Sequence, residues 1–297
     1  MTLSQAKTIV EEFWRNNGNY SEEEEFLFIE AADYLIHETK DSEVMRLLGW
    51  HYESKECFDL ALKYYEMALA NENGTAAIGL GYIWYYGRTG TVDYEKAYYY
   101  FAMEAEFEPI AKIKIADMYH HGLFVARDEA KYQQIIEELY RIYHRSNILE
   151  DPLPEICYRL AGLREREGNI PEAIRLLKEG KSYLRSHIAF NPFFGNFSFM
   201  QRLVHHLYRL TPLDRNDLEL YDLYELLKTP MKVRCTYNGI PHLFESAEEP
   251  DGSVAAALDG KWFRSFDDLL RTVKLDGYLI TLSAWKFKNF EVISWRS

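Results

Sequence analysis

The sequence predicts a mainly α-helical protein, with a solenoid of helix–turn–helix repeats over residues 1–229 and a small α+β domain over residues 230–297. Two observations carry this prediction. Four segments with one shared pattern recur in the first two thirds of the chain. From about Pro230 onward, the spacing of apolar residues changes from a helical period to a period of two. A chain of 297 residues, 47% of them apolar, has enough material for a core in both parts.

The repeated pattern is an aliphatic residue followed by a small one. The four segments that carry it are VMRLLGWHY (44–52), AAIGLGYIW (76–84), AKIKIADMY (111–119) and ICYRLAGLR (156–164). In the first three, an aromatic residue stands four positions after the aliphatic one: Tyr52, Trp84 and Tyr119. The fourth has Arg164 at that position. The segments begin 32, 35 and 45 residues apart, a period typical of paired helices stacked into a solenoid.

A second helical stretch follows each of these segments and carries a small residue as its predicted anchor: Ala61, Ala97, Ala130 and Ala173. Small side chains allow two helices to approach closely. One such hairpin cannot bury its apolar face alone, whereas stacked neighbours can. Gly87 and Gly122 are predicted to end first helices, as glycine does at a C-terminal cap.

The flanks of the repeats are predicted to close the array. Residues 1–41 form an N-terminal cap, in which Ser21 and Glu24 make a capping box before an apolar run. The repeats occupy about 42–182. Closing helices are expected over 183–229, within SFMQRLVHHLYRL and DLELYDLYELLK.

The C-terminal domain shows strand and turn patterns. Apolar and polar residues alternate over 232–237, and Asn-Gly at 238–239 and Asp-Gly at 259–260 predict hairpin turns. Ser265 and Asp268 cap a predicted helix over DLLRTV, which Gly277 is expected to end. YLITLSAW and FEVISW are predicted strands.

The repeats resemble the Sel1-like repeat family, a relative of the tetratricopeptide repeat. The copy that carries the resemblance best contains Leu80-Gly81, Trp84, Gly87, Val92, Asp93, Lys96-Ala97 and Tyr100. Weaker copies contain Leu48-Gly49, Tyr52 and Leu60-Ala61, and Met118-Tyr119, Gly122 and Ala130. The resemblance covers roughly residues 42–180. It implies a right-handed solenoid that holds other proteins, often in signalling or bacterial stress pathways. SFDDLLRTVKLDGYLIT resembles tail domains of Sel1-like proteins from gut-dwelling Firmicutes.

The net charge of −13 lies entirely in the first half of the chain. Residues 1–150 hold 14 Lys and Arg against 27 Asp and Glu, whereas 151–229 hold 11 against 11 and 230–297 hold 9 against 9. An acidic surface repels nucleic-acid phosphates and anionic lipid, so neither partner is expected. A basic partner would be attracted.

The compartment is expected to be the cytoplasm. No run of 18 uncharged apolar residues is present, and the N-terminus MTLSQAKTIVEEFW lacks the pattern of a secretory leader. The three cysteines lie far apart, without CxxC or a nearby histidine pair, and are expected to be buried free thiols. Cys57 and Cys157 are both predicted to lie on repeat helices.

No catalytic, cofactor-binding or metal-binding residues are predicted. His120-His121 and His205-His206 are adjacent pairs on helices, where neighbouring side chains diverge by about 100° and do not grip one ion. The sequence contains no GxSxG motif, and its glycine-rich stretch at 79–90 lacks the GK[ST] ending of a phosphate loop. We therefore expect a noncatalytic protein.

Candidate partner-binding residues come from the 23 tyrosines and from the alignment of the repeats. One column of the first helices contains Trp50, Tyr82 and Asp117, and a neighbouring column contains Glu53, Tyr85 and His120. First helices usually line the concave face of such solenoids, where partners bind. The tyrosines at 98–100 are instead expected to fill gaps between helices.

The leading interpretation is a protein-interaction scaffold that holds a polypeptide on the concave face of the repeats, with Tyr82 and Tyr85 as anchors. In the alternative, the C-terminal domain is the active part, as a toxin-neutralising or small-molecule-sensing module presented by the repeats. An enzyme with an unrecognised site is a third class, to which no residue pattern points. The oligomeric state and the identity of the partner stay open.

Overall fold

A computed structural model describes residues 1–15, 21–146, 151–190, 194–212 and 218–295 of the chain. Helices dominate, and a small antiparallel sheet lies near the C-terminal end. The predicted mainly α fold with a small C-terminal α+β part is confirmed. Contacts divide the chain into two compact units, Met1–Leu139 and Tyr140–Ser297. The domain boundary predicted at residue 230 stays a prediction.

The first unit consists of helices packed in sequence. They are α1 (Leu3–Arg15), α2 (Glu22–Thr39), α3 (Ser42–Ser54), α4 (Phe58–Ala70), α5 (Ala76–Tyr86), α6 (Tyr94–Glu104), α7 (Pro109–His121) and the first part of α8 (Glu129–Ser146). The predicted capping box begins α2: Glu24 N–H donates to Ser21 Oγ, and Ser21 N–H donates to Glu24 Oε2. Helices α5 and α7 end at Gly87 and Gly122, both in the left-handed conformation that glycine adopts without strain.

Glycines on first helices leave room for aromatic rings of second helices. A Cβ added to Gly49 of α3 would lie 2.6 Å from the ring of Tyr65 on α4, and one added to Gly79 of α5 would lie 2.4 Å from the same ring. A Cβ on Gly81 would lie 2.5 Å from the ring of Phe101 on α6. These rings are 3% and 0% exposed. The small residues of the repeat pattern therefore have the close-packing role that the sequence predicts.

The second unit joins helices to a sheet. After α8 come α9 (Leu153–Arg166), α10 (Ile170–Phe190), α11 (Phe194–Leu210), a 3₁₀ turn (Leu220–Asp222), α12 (Leu223–Leu226), β1 (Met231–Tyr237), β2 (Ile240–Glu248), β3 (Val254–Leu258), β4 (Lys261–Phe263), α13 (Phe266–Thr272), β5 (Lys274–Leu275), β6 (Tyr278–Leu279), a 3₁₀ helix (Ile280–Lys286) and β7 (Phe287–Trp295).

The sheet of the second unit has the strand order β4-β3-β2-β1-β7, with antiparallel pairing throughout, and β5-β6 is a separate hairpin. Its inner face shares one apolar core with α10, α11, α12 and α13. The predicted turns at 238–239 and 259–260 connect β1 to β2 and β3 to β4. Because the 68 residues of 230–297 make a small core by themselves, the sheet gains stability from the helices that cover it.

Several local predictions are wrong. Ala130 is exposed, because the buried stripe of α8 runs through Tyr132, Ile135, Ile136 and Leu139, and Ala130 lies about 200° from Tyr132. The other three predicted anchors are fully buried, which confirms them: Ala61, Ala97 and Ala173.

The C-terminal part contains two further differences. Only Tyr278–Leu279 of YLITLSAW is a strand, and Ile280 and Thr281 are buried in succession, which a strand with one solvent face does not allow. Helix α13 ends at Thr272, whereas Gly277 lies in the turn between β5 and β6. Of the predicted closing segment, residues 191–193 and 213–217 lie outside the described residues, and its second stretch is a 3₁₀ turn with a short helix.

Replacing Gly81 by alanine is expected to lower the free energy of unfolding by about 1–3 kcal/mol, because the methyl group overlaps the fully buried ring of Phe101. This loss opposes the gain of about 1 kcal/mol that alanine brings to a helix interior. Gly162→Ala on α9 is the matched control, since no atom lies within 4 Å of its added Cβ. Urea unfolding followed by circular dichroism measures both variants. Equal stability changes in the two would contradict the packing role of Gly81.

Candidate functional site

The six predicted partner-binding residues lie on three first helices of the first unit. Their positions are Trp50 and Glu53 on α3, Tyr82 and Tyr85 on α5, and Asp117 and His120 on α7. Four of them lie in one network around Arg88 and Lys114, whereas Trp50 and His120 make contacts elsewhere. Of the six, only Trp50 is exposed.

Three tyrosine rings form an aromatic cluster at the end of α5. Tyr82 and Tyr86 are stacked with centroids 6.0 Å apart, and Tyr85 meets Tyr86 edge-on at 5.0 Å. Tyr82 and Tyr85 also pack edge-on against Phe101, so both are half-buried. Tyr86 is 50% exposed and presents the accessible ring. Tyr86 lies four residues after Tyr82 and therefore on the same helix face. This spacing is the sequence signal that points to Tyr86.

A buried lysine lies against this cluster. The side chain of Lys114 on α7 is 9% exposed. Its Nζ lies 5.3, 5.6 and 5.7 Å from the ring centroids of Tyr82, Tyr85 and Tyr86, and it donates a hydrogen bond of 3.3 Å to Tyr86 Oη. Asp117 Oδ2 is 3.9 Å away. Cation–π attraction to these partly exposed rings, on the order of 1 kcal/mol, helps to hold the three phenols and the ammonium in one arrangement.

An ion pair links the cluster to α3. Arg88, just after α5, pairs with Glu53, and its guanidinium lies 5.4 Å from the ring centroid of Tyr86. Tyr65 Oη donates a hydrogen bond of 2.6 Å to the other carboxylate oxygen of Glu53. Burial lowers the pKa of the Arg88 guanidinium below its usual value and raises the pKa of the Tyr65 phenol. The guanidinium stays charged at neutral pH, so the core ring of Tyr65 is coupled to the surface ring of Tyr86.

Trp50 and His120 lie outside this network. Trp50 is 47% exposed, and its ring centroid lies 4.7 Å from that of Trp14 on α1. His120 Nδ1 lies 2.9 Å from a carboxylate oxygen of Glu129, and its ring packs against Tyr132 at 4.6 Å. His120 therefore connects α7 to α8 instead of joining the aromatic surface.

The cysteines and the remaining tyrosines differ partly from prediction. Cys157 and Cys235 are buried, as predicted, and burial raises the pKa of both thiols. Cys57 is exposed, because α4 begins only at Phe58 and leaves Cys57 in the preceding turn. In the tyrosine run on α6, the residues at 98 and 100 are half-buried as gap fillers, but Tyr99 is 61% exposed.

The structure contains no feature that defines a metal centre in its described ranges, since no three His, Cys, Asp or Glu side chains there come together as metal ligands would. No helix among those ranges has the length and apolar character needed to cross a bilayer. The candidate site thus consists of an aromatic surface that is supported by one ion pair and one buried ammonium group.

Comparison with known proteins identifies the fold class. No protein-family model and no curated protein matches the sequence. A Sel1 repeat protein from Oxalobacter formigenes is similar in structure, with 18% identity, coverage of 76% of this chain and 84% of that one, and a TM-score of 0.51. c5321, a protective antigen present in uropathogenic Escherichia coli strains and displaying an SLR fold, is also 18% identical. That match covers 70% of this chain and 52% of the other, with a TM-score of 0.49, so this chain spans about half the length of c5321.

The chain therefore has the Sel1-like repeat fold that its repeats resemble. An identity of 18% extends this likeness to the fold alone. No comparison supports the resemblance to proteins of Firmicutes.

A double-mutant cycle on Glu53→Gln and Arg88→Gln is expected to give a coupling energy of about 1 kcal/mol or more, because this pair is only 16% and 29% exposed. Glu11 and Arg15 on α1 are the matched control, with side chains 64% and 75% exposed and an expected coupling below about 0.5 kcal/mol. The four unfolding free energies of each cycle are measured in urea. Coupling no larger than in the control pair would show that Glu53 and Arg88 do not connect α3 to α5.

Proposed function

We propose that this chain is a noncatalytic scaffold that binds a polypeptide segment across the exposed face of α3, α5 and α7. The observation that carries the proposal is the half-exposed ring of Tyr86, held from beneath by Tyr82, Tyr85 and Lys114. A large aromatic ring that is already ordered loses little entropy when a partner covers it. Such rings are the usual energetic centres of protein interfaces.

Trp50 provides the second aromatic contact of the proposed surface. It lies on α3, its ring is packed on Trp14 and 47% of it is exposed. Repeat solenoids bind partners over extended surfaces built from equivalent positions of successive repeats. In this proposal Trp50 and Tyr86 contact the partner, and the half-buried Tyr82 and Tyr85 hold Tyr86 in place.

The charge of the first unit indicates the kind of partner. Residues 1–139 contain 12 Lys and Arg against 26 Asp and Glu. A field of this sign accelerates the approach of basic polypeptides and repels nucleic acid and anionic membranes.

We further propose a reducing, cytoplasmic location, because the buried thiols of Cys157 and Cys235 are unpaired.

Trp50→Ala and Tyr86→Ala are each expected to weaken peptide binding about tenfold or more, since each removes an exposed aromatic contact. Peptides selected from a random library on the full chain provide the ligands, and fluorescence anisotropy measures their affinity. Tyr278→Ala is the matched control, because this tyrosine is 63% exposed in the second unit. Selected peptides that bind both variants as well as the control would contradict the proposal, provided that all three proteins melt like the parent.

A second candidate function belongs to the sheet of the second unit. A pocket of about 90 Å³ opens there beside Met231, Ala247 and Trp262, with the ion-paired Lys232 and Glu245 at its wall. Trp262 is 49% exposed, so its indole is available to a small ligand. At about 90 Å³ this pocket is smaller than the about 300–1,000 Å³ of typical ligand sites, so in the small-molecule-sensing alternative it takes only a small fragment.

The pocket is tested by a thermal-shift screen of small aromatic and aliphatic compounds on the full chain. A compound that binds here is expected to raise the melting temperature of the parent and to lose this effect in Trp262→Ala. Trp50→Ala is the control, because it removes an equally exposed indole from the first unit. Shifts that persist in Trp262→Ala would place the compound elsewhere and reject the pocket as its site.

A further inference from the structure

The outer face of α6 has an apolar stripe that the proposed peptide surface does not use. Tyr99, Met103 and Phe107 follow one another at intervals of four residues and are 61%, 40% and 77% exposed. Tyr99 and Met103 lie on α6, and Phe107 lies in the turn that follows it. Residues four apart share a helix face, so these side chains form one strip of surface.

The other faces of α6 are already packed. Ala97 and Phe101 are fully buried, with Phe101 against Gly81 of α5. Tyr98 contacts Tyr119 of α7, and Tyr100 packs against the core between α3, α4 and α5. The stripe therefore contributes nothing to the helix contacts that hold α6 in place. Three large apolar side chains in one exposed row are typical of a surface that a partner covers.

Carboxylates surround the stripe and have no cationic partner. Glu95, Ala102 and Glu106 continue its exposed face, and the half-buried Glu108 directly follows Phe107. The carboxylate of Glu104 lies instead beside Gly74, just before α5. In the part of the chain that the structure describes, none of these four glutamates makes an ion pair. Burial and the neighbouring charge of Glu108 raise the pKa of Glu104, so its negative charge is held at a cost in free energy.

The only cation of this segment, Lys96, shares the helix face of Tyr99 and Met103 but is engaged by Trp84 and Asp93. Residues 93–108 contain five acidic residues and a single basic one, Lys96. Its Nζ lies 3.8 Å from the ring centroid of Trp84 and 3.6 Å from Asp93 Oδ2. The negative charge around the stripe is therefore left for a partner to neutralise.

We propose that Tyr99, Met103 and Phe107 form a docking surface for a basic amphipathic helix of another protein. The apolar side of that helix covers the stripe, and its Lys and Arg side chains pair with Glu95, Glu106 and Glu108. An apolar strip bordered by charges of one sign is complementary to a helix with apolar residues at i, i+3, i+4 and i+7 and basic residues beside them.

Charge excludes the other occupants of this surface. A second copy of the chain would bring three like carboxylates against these three, which is destabilising without cations between them. Anionic lipid would meet the same repulsion. This surface goes beyond the proposed peptide site, because it uses none of the residues of α3, α5 and α7.

The test uses the full chain and a synthetic peptide of about 18 residues with leucines at helical spacing and lysines on both flanks. A twin peptide with glutamate at every lysine position controls for apolar attraction alone. Fluorescence anisotropy measures binding at low and moderate salt. We expect the basic peptide to bind, its affinity to fall about tenfold or more as salt rises from ~0.05 to ~0.3 M, and the acidic twin not to bind.

Two variants locate the peptide. Tyr99→Ser with Phe107→Ser removes apolar contacts, and Glu95→Gln with Glu106→Gln removes two carboxylates; all four side chains are exposed, so folding should be preserved. Each variant is expected to weaken binding of the basic peptide about tenfold, whereas Tyr278→Ala in the second unit leaves it unchanged.

Three results would overturn the proposal. Unchanged binding in both double variants places the peptide elsewhere. A loss in Tyr86→Ala as large as in Tyr99→Ser with Phe107→Ser assigns the peptide to the α3–α5–α7 surface. Sedimentation velocity is run on the parent chain and on Tyr99→Ser with Phe107→Ser. A dimer of the parent that becomes a monomer in this double variant assigns the stripe to a second copy of the chain. Because Tyr86→Ala is measured separately, failure of this surface is distinguishable from failure of the proposed peptide site.

Discussion

The structure of the first unit depends on the ring of Tyr65, which fills the space left by two glycines. Gly49 and Gly79 belong to successive first helices, and any Cβ at either position would overlap that ring. One aromatic side chain on a second helix thereby sets the approach of the helix before it and the helix after it. Since interiors are packed at crystal-like density, a methyl group is enough to disturb this arrangement. Phe101 has the same relation to Gly81 in the next pair.

The same ring connects the core to the candidate binding surface. Tyr65 Oη donates to Glu53, Glu53 pairs with Arg88, and Arg88 lies against Tyr86. These contacts and Lys114 hold the exposed ring of Tyr86 in place, and the groups that make them are themselves partly buried. A surface arranged in this way is ordered before a partner arrives, which favours binding. The repeat fold thus provides both the helix spacing and the support for its candidate contacts.

Acidic charge has a different consequence on each face of the first unit. Near Glu53 and Asp117, carboxylates are close to Arg88 and Lys114. Along α6, Lys96 pairs with Asp93, whereas Glu95 makes no ion pair among the described residues and borders apolar side chains that the fold leaves exposed. Paired carboxylates stabilise a surface, whereas unpaired ones attract cations from outside. The distinction depends on which residues of other helices come near, and not on the number of acidic residues in the sequence.

Sequence periodicity predicts the repeats, their aliphatic and small positions, and the change from helices to a sheet, because it records which face of each element is buried. The aligned repeats also place Glu53, Tyr82, Tyr85 and Asp117 on the helices that carry the candidate site. The packing of different helices, which no pattern along the chain reports, makes Tyr86 the accessible ring and brings Lys114 beneath it. Tyr99 shows the same limit: its neighbours in sequence fill gaps, whereas its own ring meets only the edge of Tyr100 in the described contacts and stays 61% exposed. Periodicity reports the pattern along one helix, and burial is decided by the neighbours that the fold brings to it.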